Sequence, residues 1–289
     1  MSQDSSLEKV KKLRELTGVG FKDCKNAIDE NKGDIEKSIE YLRKKGIAKA
    51  NKKMERVASA GLVGISEDNN KFSIIEVNSE TDFVAKNNDF IKFVEELSRL
   101  TLANSGKMKN ILIAKMKNSK SVEDNLISII SKIGEKITLR RSDFIESNNF
   151  VNFSYTHLPV KKNLGKIGVL LSLETAVEKD KLSELGKQLS MHIAASSPLA
   201  IDKDSLDSKI LEKEKEIIIE ELKNSGKDNK IIEKIATGKL NKFIADNTLL
   251  NQEWIIDPKK KVKDILNQVA GKDKIKINKF IRFKVGEGI

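Results

Sequence analysis

Residues 61–84 read Gly-Leu-Val-Gly-Ile-Ser-Glu-Asp-Asn-Asn-Lys-Phe-Ser-Ile-Ile-Glu-Val-Asn-Ser-Glu-Thr-Asp-Phe-Val. Leu62, Val63 and Ile65 precede a run of turn formers, Glu67-Asp68-Asn69-Asn70, and Phe72, Ile74, Ile75 and Val77 follow it. β-branched and aromatic residues flanking such a turn predict a β-hairpin. Its tail, Ser79-Glu80-Thr81-Asp82-Phe83-Val84, leads toward a helix from Asp89 with Phe90, Phe93, Val94 and Leu97 turned inward. Strands followed by a packed helix make an α+β unit.

Toward the C-terminus, a helical stretch over roughly 107–132 and a strand at Ile137-Thr138-Leu139-Arg140 close this unit. A similar order then recurs. Phe150 to Tyr155 and Lys166 to Leu173 predict a second hairpin, Asp180 to Ala195 a helix with Leu182, Leu185, Leu189 and Ile193 inward, and Phe280 to Val285 a closing strand. The predicted fold class is α+β, with two related subdomains at 58–145 and at 146–203 plus 249–289. An insertion at 204–248 interrupts the second. There Leu206, Ile210, Ile217 and Leu222 share one charged helix, Asn224-Ser225-Gly226 make a turn, and Ile231, Ile235, Leu240 and Ile244 share the next helix. This is an antiparallel helical hairpin with the narrow apolar seam of a coiled coil.

Toward the N-terminus, residues 1–46 read as three short helices. Ser5 and Glu8 form a capping-box signature, Leu7, Val10, Leu13 and Leu16 an apolar stripe, and Gly18 with Gly20 a stop. Cys24, Ala27 and Ile28 face inward on the second helix. Asp34 caps the third, which carries Ile35, Ile39 and Leu42 and stops at Gly46. Three short helices suit a ubiquitin-associated-like bundle, a module that usually binds other proteins. Residues 47–57, with Lys49, Lys52, Lys53 and Arg56, read as a basic linker of helical propensity.

The net charge of +11 is spread along all 289 residues, with Asp and Glu alternating among the Lys. That pattern describes solvated faces rather than a clustered nucleic-acid groove, and no specific nucleic-acid binding is expected. The single cysteine, Cys24, forms no intrachain disulfide, which fits a reducing cytoplasm. The polar start shows no signal-peptide pattern, and the longest apolar run, Ile167 to Leu173, is too short for a membrane span. A cytoplasmic location is expected. There is no phosphate-binding Gly-rich loop with Gly-Lys-Ser/Thr, and His157 and His192 with one cysteine make a poor metal set. No catalytic residues, metal or cofactor are expected, and the reading is of a non-enzyme.

Several segments resemble one known family. Leu13-Arg14-Glu15-Leu16-Thr17-Gly18-Val19-Gly20 followed by Asp23-Cys24-Lys25, and Gly33-Asp34-Ile35-Glu36, resemble the N-terminal signature of elongation factor Ts. Glu76-Val77-Asn78-Ser79-Glu80-Thr81-Asp82-Phe83-Val84-Ala85-Lys86 is similar to its central motif. Lys132-Ile133-Gly134-Glu135, Met191-His192-Ile193-Ala194-Ala195-Ser196 and Phe280-Ile281-Arg282-Phe283-Lys284-Val285-Gly286-Glu287-Gly288 also match, in family order.

The resemblance implies a guanine-nucleotide exchange factor for the GTPase elongation factor Tu. Thr81, Asp82, Phe83 and Val84 would displace magnesium from the partner and promote GDP release. Arg14, Thr17, Gly18, Gly20, Lys25, Ile133 and Gly134 would touch the GTPase's nucleotide-binding domain; His157, Met191, His192 and Ile255 would face a second domain of it. Read without the resemblance, Phe83 packs at home, as most Phe side chains do, and Gly18 and Gly20 merely turn the chain. The family often has a Gly-rich turn after the histidine matching His157, where this sequence has Leu158-Pro159-Val160-Lys161-Lys162-Asn163. Many members continue past Gly-Glu-Gly into a helix that clasps the GTPase; with Ile289 last here, binding is expected to rest more on the N-terminal bundle. The 204–248 hairpin carries a further expectation, docking or formation of a homodimer. A competing reading, a ribosome- or RNA-associated protein, would use the basic linker. A third, an unrecognised hydrolase or transferase, lacks any convergent His, Cys or Gly-loop constellation.

Overall fold

A computed structural model describes residues 6–147, 149–223 and 228–289. Ser5 of the expected capping box and the Asn224-Ser225-Gly226 turn lie outside the described residues. The chain divides into two compact units. One gathers Met1–Phe144, Leu158–Gly168 and Phe283–Ile289, the other Ile145–His157 and Val169–Arg282.

The first unit begins with helices α1 (Ser6–Thr17), α2 (Phe21–Glu30) and α3 (Ile35–Lys53) around a core of Val10, Leu13, Cys24, Ala27, Ile28 and Leu42. Leu7 and Leu16, expected in that core, are exposed. Each i+3 step lags a full turn by about 60°, so the ends of a four-member i+3 series leave the face its middle occupies. Asp34 caps α3 as expected, accepting from the Lys37 N–H at 3.0 Å. Gly46 does not stop α3, which runs on to Lys53 and takes in residues 47–53 of the expected linker. A mid-helix glycine costs only about 1 kcal/mol. Packing against α7 (Val122–Ile133) offsets that, with Gly46 over Ser131 and Ile127 and an Arg43–Asp124 ion pair at 2.6 Å.

The hairpin of residues 60–79 forms as expected. Strands β1 (Ala60–Asp68) and β2 (Lys71–Ser79) pair from Ala60↔Ser79 to Asp68↔Lys71, leaving a two-residue Asn69-Asn70 turn with Asn69 at φ 50°. The sheet order is β3-β2-β1-β5, with β3 at Ile137–Glu146 and β5 at Leu164–Gly165. Helix α5 (Asn88–Ala103) covers it, burying Phe90, Phe93, Val94 and Leu97. The helix expected over 107–132 is two: α6 (Met108–Ile113) and α7. Between them Ser119 takes φ 64°, and Ser121 restarts the helix by accepting from the Asp124 N–H at 3.1 Å. Capping chemistry wins over the apolar period.

In the second unit, β4 (Phe150–His157), β6 (Ile167–Thr175) and β9 (Ile275–Lys284) form a sheet in the order β4-β6-β9. Helix α8 (Lys179–Ser196) lies so close to β4 that a Cβ at Gly186 would overlap the Phe153 ring. The inserted hairpin is α9 (Ser208–Lys223) and α10 (Asn229–Asn247). Its seam is Ile218, Leu222, Ile232 and Ala236, with Ile235 and Leu240 half-buried beside it. Ile210, Ile217 and Ile231, expected in that seam, are exposed. At the Ile217-Ile218 and Ile231-Ile232 pairs the first residue was expected inward and the second is, because the apolar period does not choose between adjacent isoleucines. After a 3-10 turn at Leu249–Asn251 come β7 (Glu253–Trp254), β8 (Asp257–Lys261) and α11 (Val262–Ala270), none of which the sequence pattern predicted. No helix among the described residues is long and apolar enough to cross a membrane.

Candidate functional site

β2 ends at Ser79, whose hydroxyl donates to the Thr81 carbonyl at 2.9 Å and bends the chain out of the sheet. A single helical turn follows, α4 (Asp82–Ala85). Its two faces differ. Val84 and Ala85 are buried among the sheet and α5, whereas Phe83 is 80% exposed. The reading of Phe83 as a residue packed at home is therefore overturned: the home core takes Val84 instead. An isolated ring in water is unusual for Phe.

One helical turn is too short to be stable by itself, and the surroundings hold it. Glu135, just past the end of α7, accepts from the Thr81 N–H at 3.0 Å and from the Thr81 hydroxyl at 2.8 Å. In the opposite direction Glu80 accepts from the Lys136 N–H at 2.6 Å and pairs with Arg56 at 3.2 Å. Burial works to raise the Glu80 carboxyl, but the Lys136 N–H and the Arg56 guanidinium outweigh it and hold it below the ordinary carboxylate range. Lys136 in turn donates to the carbonyls of Met54 and Arg56 at 2.6 and 2.8 Å. Below Phe83, Asp82 is exposed, 3.9 Å from Lys86. Burial lowers the Lys166 amine, opposed by the nearby Asp82 carboxylate, and that amine donates to the Gly61 carbonyl at 3.0 Å.

The same lacing places Ile133 and Gly134 beside this turn. Gly134 ends α7 in the left-handed conformation, φ 84°, which a side chain rarely adopts. It is exposed, and its carbonyl accepts from the Lys53 amine. The bundle's α1–α2 loop meets the last turn of α7: the Lys132 chain lies against Gly18, and its amine pairs with Asp89 at 2.8 Å. Gly18 needs its φ of 66° to close α1, donating to the Arg14 carbonyl at 2.7 Å. Gly20 has open space around it, and Arg14 and Lys25 are exposed. Thr17 is occupied at home, donating to the Leu13 carbonyl at 2.7 Å. So Gly18, Ile133, Gly134 and the Thr81–Val84 turn, expected to share a partner, are connected through Lys132, Asp89, Glu135 and Lys136. Lys53 and Arg56, two of the basic residues of the expected linker, make these internal contacts.

The second group of expected contact residues lies in the other unit. His157 is exposed at the end of β4, with the Tyr155 hydroxyl 3.0 Å from its Nδ1. Met191 is 36% exposed and Ile255 41%. His192, expected to face the partner as well, is instead fully buried. Its ring stacks on Trp254 at a centroid distance of 5.2 Å, its Nε2 is 3.0 Å from the Gln252 carbonyl oxygen, and its Nδ1 accepts from the Ile255 N–H at 3.4 Å. The Gln252 amide nitrogen donates to the carbonyls of Ser196 and Asp246, which fixes its oxygen toward the imidazole. The ring is thus neutral, with its proton on Nε2. Burial pushes its pKa below the usual 6.5, against the Gln252 hydrogen bond. His192 supports the backbone from which Ile255 projects.

A sequence-family model described as Elongation factor TS matches residues 80–287. Elongation factor Ts of Rickettsia prowazekii is 44% identical over 283 residues, covering 97% of this chain and 91% of that protein. Those of Rhodospirillum rubrum, at 44%, and Maricaulis maris, at 41%, cover 97% of this chain and 92% and 91% of their own lengths. The chain belongs to the elongation factor Ts family. Residues 80–287 begin at the Phe83 turn and end at the segment after β9.

That last segment is bound to the hairpin by a buried carboxylate. Glu76, on β2, is wholly inaccessible and accepts from Arg140 at 3.0 Å, Arg141 at 2.6 Å, Asn78 at 3.0 Å and the Gly286 N–H at 2.8 Å. Burial alone would raise this carboxyl; the four donors outweigh it and hold it below the carboxylate range. Sequence reasoning missed Glu76, Glu135, Gln252 and Trp254. Glu76 and Glu135 sit in quoted motifs and Gln252 and Trp254 in none, and the function of each depends on a partner at least 54 positions away, as Glu135 to Thr81 illustrates.

Proposed function

We propose that this protein is a non-enzymatic guanine-nucleotide exchange factor that binds elongation factor Tu carrying GDP, displaces its magnesium and promotes GDP release during translation elongation. Family membership supports the partner. The observation that carries the mechanism is Phe83, an exposed ring on a turn held by Glu135.

An exposed ring costs this protein solvation that a partner crevice can recover. Burying it gains about 1.5–3 kcal/mol. Exchange requires that this gain be larger when the partner's magnesium and phosphate loops have moved, because a contact equally strong in both states shifts no equilibrium. Factor and nucleotide then weaken each other's binding reciprocally. Asp82, next to the wedge, brings a carboxylate toward the partner's cation site. Arg14, Lys25, Gly18, Gly20, Ile133 and Gly134 contribute to docking on the nucleotide-binding domain, and Met191, Ile255 and His157 on a second domain. The exposed isoleucines of α9 and α10 offer the hairpin a docking or dimerisation role.

The test is release of labelled GDP from elongation factor Tu with and without this protein. Saturable acceleration is expected. Unchanged release, or a steeply salt-dependent affinity for RNA instead, would overturn the proposal.

A further inference from the structure

The Thr81 hydroxyl stands where a helix N-cap stands, yet it makes no capping bond to α4. It donates instead to Glu135, whose other oxygen takes the Thr81 N–H. The cap is diverted to a carboxylate from another loop. That carboxylate fixes both the backbone and the side chain of the residue two positions before Phe83. Two acceptor oxygens on two donors of one residue leave it little freedom to rotate.

We infer that Glu135 is a positioning residue for exchange: it acts through Thr81 to hold the α4 turn so that Phe83 stays outside the home core, in a conformation ready to enter the partner. The inference rests on the proposed function. Its physical basis is preorganisation. Four residues form α4, and without an external anchor a turn that short frays and lets an exposed Phe collapse onto its own apolar surface. Glu80 and Lys136 keep the two loops adjacent even without Glu135, so removing Glu135 frees the Thr81 end alone. The same carboxylate follows Gly134, so one short segment supplies both a partner contact and the anchor for the wedge.

The experiment uses the full chain. Glu135→Ala is expected to lower the maximal GDP-release rate about tenfold, while affinity for nucleotide-free elongation factor Tu changes little. Glu135→Gln keeps one acceptor oxygen and should fall between. Amide hydrogen exchange at Thr81, Lys86 and Asn87, whose N–H groups are bound to Glu135, Phe83 and Val84, should speed up in Glu135→Ala with protection of β1, β2 and α5 retained. Because Glu135 acts through the wedge, Glu135→Ala combined with Phe83→Ala should be no slower than Phe83→Ala alone. Additive losses, unchanged amide exchange at the turn, or full release activity with a loosened turn would each overturn the inference. A wild-type protein that fails to release GDP would overturn the proposed function and this inference's effect on it, while amide exchange would still decide whether Glu135 holds the turn.

Discussion

The Phe83 turn and the His192 corner each hold apolar side chains in water, and they do it with opposite electrostatics. At the turn, Thr81 and the Lys136 N–H are bound by the carboxylates of Glu135 and Glu80. At the corner, a neutral imidazole packed on Trp254 carries the backbone of Ile255. An exposed hydrophobe needs a frame that will not collapse around it. Charged acceptors provide one at the surface, where they stay hydrated; a stacked aromatic pair provides one in the interior, where a charge would be costly.

The corner carries the larger stability effect. Trp254→Ala removes the buried partner of His192 and should cost about 3–5 kcal/mol of stability, read by thermal or denaturant unfolding. Phe83→Ala at the turn should do the reverse. Stability should stay within about 0.5 kcal/mol, since the residue is 80% exposed at home. GDP release should fall by about 2–4 kcal/mol of coupling, or roughly thirtyfold to a thousandfold. An unfolding loss of several degrees without loss of exchange would make Phe83 a core residue after all.

Acid separates the two regions. His192 has a folded pKa depressed below 6.5. The unfolded chain binds the proton first, so stability falls as pH drops from that value toward the depressed one. Glu80 and Glu76 are also depressed, from 4.5. Their contribution is present above that value and is lost as pH falls through their folded values. The protection factor of the Ile255 amide should therefore fall as pH drops below the ordinary 6.5 of His192, while that of the Thr81 turn holds until pH has passed below the 4.5 of Glu80. Simultaneous loosening would contradict the assignment of the two frames. The smallest effect is at Asp82: an exposed carboxylate contributes at most about 1 kcal/mol to a contact, so Asp82→Ala should slow exchange no more than about fivefold.

How far the sequence foretold this differs between the regions. The hairpin, α5 and α8 were legible because Phe90, Phe93, Val94 and Leu97, or Leu182, Leu185, Leu189 and Ile193, repeat over enough turns to fix a face. Gly46 misled because helix ends depend on what packs beside them, here α7. Ile217 and Ile231 misled because each has an isoleucine neighbour. The fate of Phe83 was not legible from its own turn. Only the resemblance to elongation factor Ts separated it from Val84, since four residues have no period to read. The burial of His192 was equally hidden, because Gln252 and Trp254 come 60 and 62 residues later.

In the proposed mechanism Phe83 couples binding to nucleotide release rather than merely adding affinity. The measurement is GDP release from elongation factor Tu against factor concentration for wild type and Phe83→Ala, beside their affinities for the nucleotide-free GTPase. A lower plateau is expected for Phe83→Ala, with a smaller change in affinity. Equal plateaus with only a shifted midpoint would mean that Phe83 binds both states alike, and would contradict that mechanism.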